Sequence, residues 1–219
     1  TPSKSGMAYE EYTLLKPCWA VVSFKIEPGE PGSGFIYSSE VGVNQIESRY
    51  QKEIERTLPK ALQQGIKGWE VTDLKITLVN GEHHNVHSRA GDFAVATPMA
   101  IMKGLNELGT DLLEPIMEFS IKAPEEYLGK ISSALTKIGA EIQSHSIIGS
   151  KLKLLGHVPL ATSLDFSVKL ASLCSGKAKY RARLAEYRKS NNIVTTDYRG
   201  ISPLERAKYI LQARKALNV

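Results

Sequence analysis

The sequence contains few of the features that mark membrane-bound or disulfide-bonded proteins. Its only cysteines, Cys18 and Cys174, lie far apart with no second cysteine near either, which excludes a paired zinc or redox motif and predicts two packing thiols. No apolar run approaches the roughly 20 residues of a membrane-spanning helix, and the first residues lack the basic-then-apolar pattern of a signal peptide. We therefore expect a soluble, cytoplasmic protein with no membrane partner.

A phosphate-binding loop is also absent from the sequence. Such loops follow the pattern G-x-x-x-x-G-K-[ST], and residues 175–178 (SGKA) lack both the upstream glycine and the hydroxyl. The acidic pair Glu125 and Glu126 begins a predicted helix, where carboxylates interact favourably with the positive end of the helix dipole. We therefore do not predict that this pair acts as a catalytic acid and base. We expect no catalytic residue, no cofactor and no small-molecule substrate in these residues.

Charge is distributed unevenly along a chain of otherwise ordinary composition. The 219 residues, 42% hydrophobic and 23% charged, suit one large or two small globular domains. The net charge is +5, whereas the segment from Lys177 to Lys215 alone carries +8. A basic end on a neutral-to-acidic body indicates a polyanionic partner for that end. An ordinary solvated surface is the alternative interpretation, although such surfaces are usually mixed in sign.

Hydrophobic periodicity predicts an α+β protein of two domains, residues 1–112 and 113–219. Residues 1–12 show no period, and we predict no element there. Alternating apolar residues from Trp19 to Ile26 and from Phe35 to Val41, separated by a proline- and glycine-rich segment, predict a β-hairpin. A helical spacing follows from Ile46 to Leu62, and Pro59 either kinks this helix or begins it.

The first domain continues with a strand at residues 74–78, a polar loop and a helix at residues 93–108. We call the loop, residues His83–Gly91, the histidine loop because it contains His83, His84 and His87. Neutral imidazoles can bind zinc, but a closed site usually takes about four ligands and only Asp92 is an obvious fourth. We therefore predict no metal and interpret the histidines as hydrogen-bonding rings. A metal-dependent enzyme at this loop remains an alternative hypothesis.

In the second domain the predicted elements follow the order βαββαβ. The strands are residues 117–121, 141–147, 151–158 and 178–184, and the helices are residues 127–138 and 160–171, the latter with Leu164 and Val168 in its apolar stripe. This order is that of a ferredoxin-like split βαβ fold, in which two helices cover one face of an antiparallel sheet. A C-terminal helix is predicted to begin at the capping box Ser202–Glu205 and to pack on this domain.

Cations dominate the face of this sheet that the helices leave open. The predicted basic face comprises Lys151, Lys153, Lys177, Lys179, Arg181 and Arg183, and the polar side of the C-terminal helix adds Arg206, Lys208, Arg214 and Lys215. These side chains could neutralise RNA phosphates. Alternatively, they protect an exposed edge from aggregation or meet another domain. Because the face has no stacking aromatic residues, base-specific recognition by this sheet is not expected.

Motifs along most of the chain resemble one family. Residues 112–117 (LLEPIM), 123–129 (APEEYLG), 156–160 (GHVPL) and 173–180 (LCSGKAKY) follow the order and spacing of the last domain of elongation factor G and its relatives. Upstream, residues 17–20 (PCWA), 26–34 and 64–73 (QGIKGWEVTD) resemble the preceding domain of the tetracycline ribosomal protection proteins, a branch of that GTPase family.

The resemblance implies a fold and a partner. It implies a ribosomal-protein-S5-like βαβ domain followed by a ferredoxin-like domain with an added C-terminal helix, the fourth and fifth domains of a translational GTPase. The implied partner is the ribosome, with 16S and 23S rRNA and ribosomal proteins, and GTP and Mg belong to the full-length parent. In this family the tip of the fourth domain reaches the decoding centre, where it either supports tRNA movement or dislodges tetracycline.

By position, the implied tip comprises Lys16, Pro17, His83, His84, Asn85, Val86, His87, Ser88 and Arg89. Protection proteins typically have Tyr-Ser-Pro-Val-Ser here and elongation factor G has His-Asp-Val-Asp-Ser, which residues 84–88 (HNVHS) partly match. Asn85 and His87 replace two acids, which makes the tip less negative beside rRNA. The favoured hypothesis is a ribosome-binding part of a tetracycline-releasing factor. The alternatives are an elongation-factor-like paralogue acting in translocation and a stand-alone RNA-binding module.

Overall fold

A computed structural model describes residues 1–13, 17–190 and 194–215. The chain divides into two compact units, one of residues Thr1–Leu112 with Asn191–Val219 and the other of Leu113–Ser190. Each unit is a sheet packed against helices, which confirms the predicted α+β class. Both cysteines are free and buried, as predicted. Within the described ranges, no helix is both long and apolar enough to cross a membrane.

The first unit contains a four-stranded sheet in the order β1-β2-β4-β3. Its elements are β1 (Gly6–Thr13), β2 (Trp19–Pro28), β3 (Phe35–Ser39), α1 (Ser48–Ala61), β4 (Leu74–Glu82) and α2 (Ala90–Leu108). The pairs β1–β2 and β2–β4 are antiparallel, whereas β3 and β4 are parallel and joined by α1. Alternate side chains of β2 and β4 are buried in one apolar core with α1 and α2, as their period-two pattern predicts.

Two predictions for this sheet are wrong. β1 is a strand, paired from Gly6 opposite Ile26 to Thr13 opposite Trp19. Its buried positions are Ala8, Glu10 and Tyr12, a small, a charged and an aromatic residue, so the segment shows no apolar alternation. The predicted hairpin of β2 and β3 does not form either, because β4 lies between these strands.

The helix α1 resolves one alternative that the sequence left open. It extends from Ser48 through Pro59, which lies in its last turn, so the helix does not begin at the proline. The buried residues Tyr50, Ile54 and Leu58 follow the predicted spacing of four.

The second unit has the predicted ferredoxin-like topology. Its strands β5 (Leu113–Pro124), β6 (Glu141–Ile148), β7 (Lys151–Pro159) and β8 (Lys179–Lys189) form an antiparallel sheet in the order β6-β7-β5-β8. One face is covered by α3 (Leu128–Lys137), which follows a short 3-10 turn, and by α4 (Leu160–Ser163) and α5 (Phe166–Leu173). The opposite face is open, as expected from the element order.

The predicted apolar stripe of the last helix of this unit is wrong. Leu164 and Val168 are 74% and 72% exposed, and the helix is interrupted between α4 and α5. Phe166 and Leu170 are buried instead, and the ring of Phe166 packs edge-on against Tyr180 at 5.6 Å. Both stripes have helical spacing, but the one that contains the aromatic ring buries more apolar surface.

The C-terminal segment belongs to the first unit and not to the second, which corrects the predicted domain of residues 113–219. Trp69 donates its indole N–H to the carbonyl of Val194 (2.9 Å), and the N–H of Thr196 donates to the carbonyl of Lys67 (3.0 Å). The last helix, α6 (Arg206–Ala213), begins after Glu205 rather than at Ser202 and buries Ile210 in the core of the first unit. Helical periodicity shows that a helix has an apolar side, but not which domain covers it.

The close contact between Gly104 of α2 and β1 allows the position of β1 to be tested by mutation. A Cβ at this residue would approach the Cβ of Ala8 on β1 more closely than 3.0 Å, a distance that real Cβ atoms essentially never show. We expect Gly104→Ala to lower the free energy of unfolding by about 1–3 kcal/mol, because the added methyl overpacks the interface between helix and strand. Urea denaturation of the whole chain measures the change.

Gly91→Ala is the matched control for this substitution. Gly91 lies in the first turn of the same helix, and an added Cβ there meets nothing within 4 Å. We expect no loss, or a gain of about 0.4–1 kcal/mol from the reduced entropy of the unfolded chain. Equal stability of the two variants would contradict the packing of β1 against α2.

Candidate functional site

The histidine loop lies where three elements of the first unit meet. It follows the end of β4, and its last two residues, Ala90 and Gly91, form the first turn of α2. Because β2 and β4 are antiparallel, with Val21 opposite Glu82, the first residue of β2, Trp19, lies beside the loop. The sheet therefore supplies a fixed base for the loop.

Ser88 ties the loop to this base. Its hydroxyl donates to the carbonyl of Trp19 (2.5 Å) and accepts from the N–H of His84 (2.8 Å). The carbonyl of Ser88 accepts from the buried hydroxyl of Tyr50 (2.9 Å). Ser88 is only 8% exposed, so these bonds are shielded from water and fix the loop strongly.

His84 organises the turn from within. Its Nδ1 accepts hydrogen bonds from the backbone N–H groups of Val86 (3.1 Å) and His87 (3.3 Å). Its ring stacks on that of His87 with 4.4 Å between centroids and lies 5.6 Å from that of Trp19. The two imidazoles and the indole therefore form a continuous aromatic cluster, in which the ring of His84 also accepts hydrogen bonds.

His83 is anchored separately. Its Nδ1 donates to the carbonyl of Gln45 (2.8 Å), its Nε2 lies 3.3 Å from Oε1 of Glu47, and its side chain is only 8% exposed. In the described part of the chain, no three His, Cys, Asp or Glu side chains are grouped so that they could hold a metal ion. His83 thus has a carbonyl and a carboxylate as its partners at the base of the loop.

Asp92 holds the end of the loop at the start of α2. One carboxylate oxygen accepts from the backbone N–H of Arg89 (2.9 Å) and from that of Trp19 (3.4 Å). Burial raises the pKa of Asp92 above its usual value, while these two hydrogen bonds oppose the rise. The carboxylate is therefore directed inward and presents no negative charge on the outer surface of the loop.

The outer surface of the loop consists of three consecutive exposed residues, Asn85, Val86 and His87, which we call the crest. Val86 is 77% exposed, and no residue from 83 to 91 carries a carboxylate. Arg89 and Pro17 are also exposed. Lys16, predicted as part of the same tip, lies outside the described residues. The crest thus carries no carboxylate, and the hydrogen bonds of Ser88 and His84 restrict its conformation.

The basic face of the second unit has a regular geometry. Lys122 of β5 is directly opposite Lys153 of β7 on one side and Lys179 of β8 on the other. Residues directly opposite in antiparallel strands point to the same face, so the three ammonium groups form one row, which we call the lysine row. Neighbouring strands lie about 4.8 Å apart.

Sequence analysis missed Lys122, the central member of this row. It lies between the buried residues Ile121 and Ala123, so its alternation with them in β5 was the available signal. The predicted residues Lys151 and Lys177 line the same cleft as the lysine row. The volume of this cleft is about 710 Å³.

The other predicted cations lie elsewhere and are more often paired. Arg181 is opposite Ser120, one row further along the open face. Arg183 forms an ion pair of 2.5 Å with Glu118, and the hydrogen bond from this guanidinium lowers the pKa of Glu118. The charge of Arg183 is therefore balanced within the unit.

The C-terminal helix uses most of its cations for internal contacts. Arg206 pairs with Glu10 (3.0 Å) and Lys208 with Glu205 (2.5 Å), and Arg214 donates to the hydroxyl of Tyr12 (2.5 Å). Lys215 is exposed next to Arg214. The contacts of Arg206 and Arg214 attach α6 to β1, and the three contacts together leave less free charge on this helix than the sequence predicted.

Ser88 provides a test of how the loop is held. We expect Ser88→Ala to lower the free energy of unfolding by about 1–3 kcal/mol, because it leaves the N–H of His84 and the carbonyl of Trp19 without their partner. We expect Val86→Ala on the exposed crest to change it by less than about 0.5 kcal/mol. Chemical denaturation gives both values, and a neutral Ser88→Ala would contradict the role of Ser88.

Comparisons with known proteins identify the family of both units. The family profile described as elongation factor G, domain IV, matches residues 3–107, and the one described as elongation factor G C-terminus matches residues 111–197. The tetracycline resistance protein TetP of Clostridium perfringens is 34% identical over 210 residues, which are 93% of this chain and 31% of TetP. Elongation factor G 2 of Desulfotalea psychrophila is 33% identical over 180 residues, which are 82% of this chain and 26% of that protein.

A solved structure has a similar fold. The crystal structure of ttk003000868 from Thermus thermophilus aligns with a TM-score of 0.76 and 25% identity, over 99% of this chain and 31% of that one. The chain thus spans 31% and 26% of the two curated relatives. The chain belongs to the family of elongation factor G and TetP, and it comprises the domain IV and the C-terminal domain of that family.

Proposed function

We propose that this chain is the ribosome-contacting part of a factor of the ribosomal protection type and that its histidine loop displaces tetracycline from the ribosome. The observation that carries this proposal is the crest, an exposed neutral surface of Asn85, Val86 and His87 on a loop fixed by Ser88 and His84. Similarity to TetP supports the choice of tetracycline.

The physical basis is the combination of rigidity and neutrality. A loop that is already ordered does not lose conformational entropy when it inserts, so more of its contact energy is available to displace a ligand. Because no carboxylate lies between residues 83 and 91, the crest can approach the phosphate backbone of rRNA without repulsion. Imidazole and indole rings such as those of His87 and Trp19 can stack on an unpaired base.

In this proposal the chain binds the ribosome and catalyses no reaction itself. GTP and Mg would be bound by another domain of a full-length factor, and hydrolysis there would time the action of the loop. The residues described above need no cofactor of their own for the proposed role. The proposed partners are 16S and 23S rRNA with ribosomal proteins, in the cytoplasm.

Translocation is the second candidate function. It is favoured by the sequence of the loop, since His84, Val86 and Ser88 match the elongation factor G pattern. The two acids of that pattern are replaced in this chain by Asn85 and His87. Similarity to elongation factor G 2 supports this alternative. The two candidates differ in what the crest displaces, a drug or a tRNA, and one assay can separate them.

The test uses a full-length factor that carries this chain, with ribosomes, GTP and tetracycline, and measures peptide synthesis. We expect the factor to restore synthesis in the presence of the drug. We expect Val86→Ala/His87→Ala to reduce that restoration about tenfold, or about 1.4 kcal/mol in effective free energy, because the crest contacts are lost. Ribosome-stimulated GTP hydrolysis should persist, since these side chains lie outside the fixed base of the loop.

Glu30→Ala/Lys75→Ala is the matched control, because both residues are exposed at the opposite end of the same sheet. Restoration by the control variant and loss by the crest variant would support drug displacement. A factor that hydrolyses GTP and accelerates translocation but never restores synthesis in tetracycline would favour the second candidate. Unchanged restoration by the crest variant would refute the proposed role of the loop.

A further inference from the structure

The last helix, α6, is attached to β1 at both of its ends. At the N-terminal end, Arg206 pairs with Glu10 at 3.0 Å. At the C-terminal end, Nε of Arg214 donates to the hydroxyl of Tyr12 (2.5 Å), and the guanidinium carbon lies 5.3 Å from the centre of that ring. A cation over an aromatic face is attracted by the ring in addition to the hydrogen bond. The two ends of α6 therefore hold two different points of one strand.

Tyr12 lies next to the base of the histidine loop. It is fully buried, and the residue after it, Thr13, is paired with Trp19, the first residue of β2. Trp19 supplies the carbonyl that accepts from Ser88 and the N–H that donates to Asp92. The ring that α6 contacts is therefore one residue along β1 from the strand pair that holds the loop.

Two further groups at the base of the loop interact with the guanidinium of Arg214. One is the buried thiol of Cys18, which directly precedes Trp19. The other is Asp92: burial raises the pKa of its carboxyl group, and the charge of Arg214 is among the interactions that oppose the rise. The ionised form accepts the stronger hydrogen bonds from Trp19 and Arg89, so the cation favours the form of Asp92 that holds the loop.

We infer that Arg214 is a positioning residue for the histidine loop and that, from the end of α6, it fixes the Tyr12 ring and the Cys18–Trp19 segment on which the loop rests. The sequence indicated another role for this cation, a contact with RNA phosphate, but its guanidinium contacts a buried ring of its own chain. What the positioned loop does rests on the proposed function, whereas its positioning by α6 rests only on contacts within this chain.

The attachment of α6 to the first unit does not depend on Arg214 alone. Ile210 is buried in the core of this unit, and Arg206 pairs with Glu10, which is only 8% exposed. Arg214 is itself an exposed residue, and contacts of exposed charges usually contribute little to global stability. We therefore expect its removal to loosen the base of the loop while the unit stays folded.

The experiment measures amide hydrogen exchange in the whole chain by NMR, for the unchanged protein and for Arg214→Gln. The reporting amides are those of Trp19, His84 and Arg89, whose hydrogen bonds hold the loop. We expect their exchange to become about tenfold faster, the size expected when a hydrogen bond from a charged group is lost. Exchange in the ladder between β2 and β4 should change by less than about twofold, because the sheet stays intact.

Arg206→Gln is the matched control for this substitution. It removes one positive charge from the same helix and breaks a contact with the same strand, but at the other end of the helix. Because it leaves the buried Glu10 without its partner, we expect it to lower global stability more than Arg214→Gln does. If the loop loosened only in proportion to global stability, it would exchange faster in the control. An equal or larger effect of Arg206→Gln on the loop amides would therefore overturn the positioning role.

A double-mutant cycle tests whether Arg214 acts through Tyr12. Tyr12→Phe removes the hydroxyl and keeps the buried ring. We expect the loop amides of Arg214→Gln/Tyr12→Phe to exchange no faster than those of Arg214→Gln, because the two substitutions break the same hydrogen bond. Effects that multiply in the double variant would mean that the two residues act independently, and would overturn the inference.

The same substitutions in a full-length factor connect the loop to its proposed function. We expect Arg214→Gln to reduce the restoration of peptide synthesis in tetracycline, because a loosened loop loses conformational entropy when it inserts, and we expect Arg206→Gln to retain it. Unchanged restoration by Arg214→Gln would overturn its role in that function.

The positioning role and the proposed function can fail separately. If the unchanged factor does not restore synthesis but Arg214→Gln still speeds exchange of the loop amides, drug displacement is refuted and the positioning role is supported. Unchanged exchange of the loop amides in Arg214→Gln would refute the positioning role, whether or not the factor restores synthesis.

Discussion

The antiparallel pairing of β2 with β4 is the constraint on which the candidate site depends. This register places Trp19 beside the end of β4, so its carbonyl accepts from Ser88 and its N–H donates to Asp92. Without that neighbour, Ser88 and Asp92 would lose their hydrogen bonds to Trp19, and the loop would keep its other anchors, from Tyr50 to Ser88 and from His83 to Gln45. A strand pairing distant in sequence thus contributes two of the hydrogen bonds that hold residues 83–91 and the start of α2.

The two candidate surfaces act by different physical means. The crest is neutral and fixed, so its effect is limited to groups that it touches. The lysine row is charged and exposed, so its effect extends about a Debye length, or about 8 Å at physiological salt, and weakens as salt rises. Ion pairs of Arg183 and Arg206 balance other basic positions within the chain, which leaves the row as a concentrated source of positive charge.

Sequence patterns predicted the elements whose own residues follow an apolar period. They failed where a contact between residues distant in sequence determines the structure. β2, β4, β5, β7 and β8 follow an apolar period and were predicted from it. β6, whose residues are all exposed, was predicted only as the remaining strand of the βαββαβ order. β1 was missed because Ala8, Glu10 and Tyr12 occupy its buried positions, and Glu10 is tolerated there because Arg206 pairs with it. The domain on which α6 packs and the inclusion of Lys122 in a row depend on tertiary contact and strand register. The loop was located correctly, but its internal hydrogen bonds were not predicted.

The histidine loop separates the residues that determine its shape from those that determine its chemistry. His84 and Ser88, which make the internal hydrogen bonds, match the elongation factor G pattern. Asn85 and His87, which replace that pattern's two acids, lie on the exposed crest, where a substitution changes charge without removing the bonds that fix the turn. A loop of this construction can keep one conformation while its surface changes from acidic to neutral. Keeping the base while varying the crest is therefore a way to change what the loop can contact without changing the hydrogen bonds that stabilise the loop.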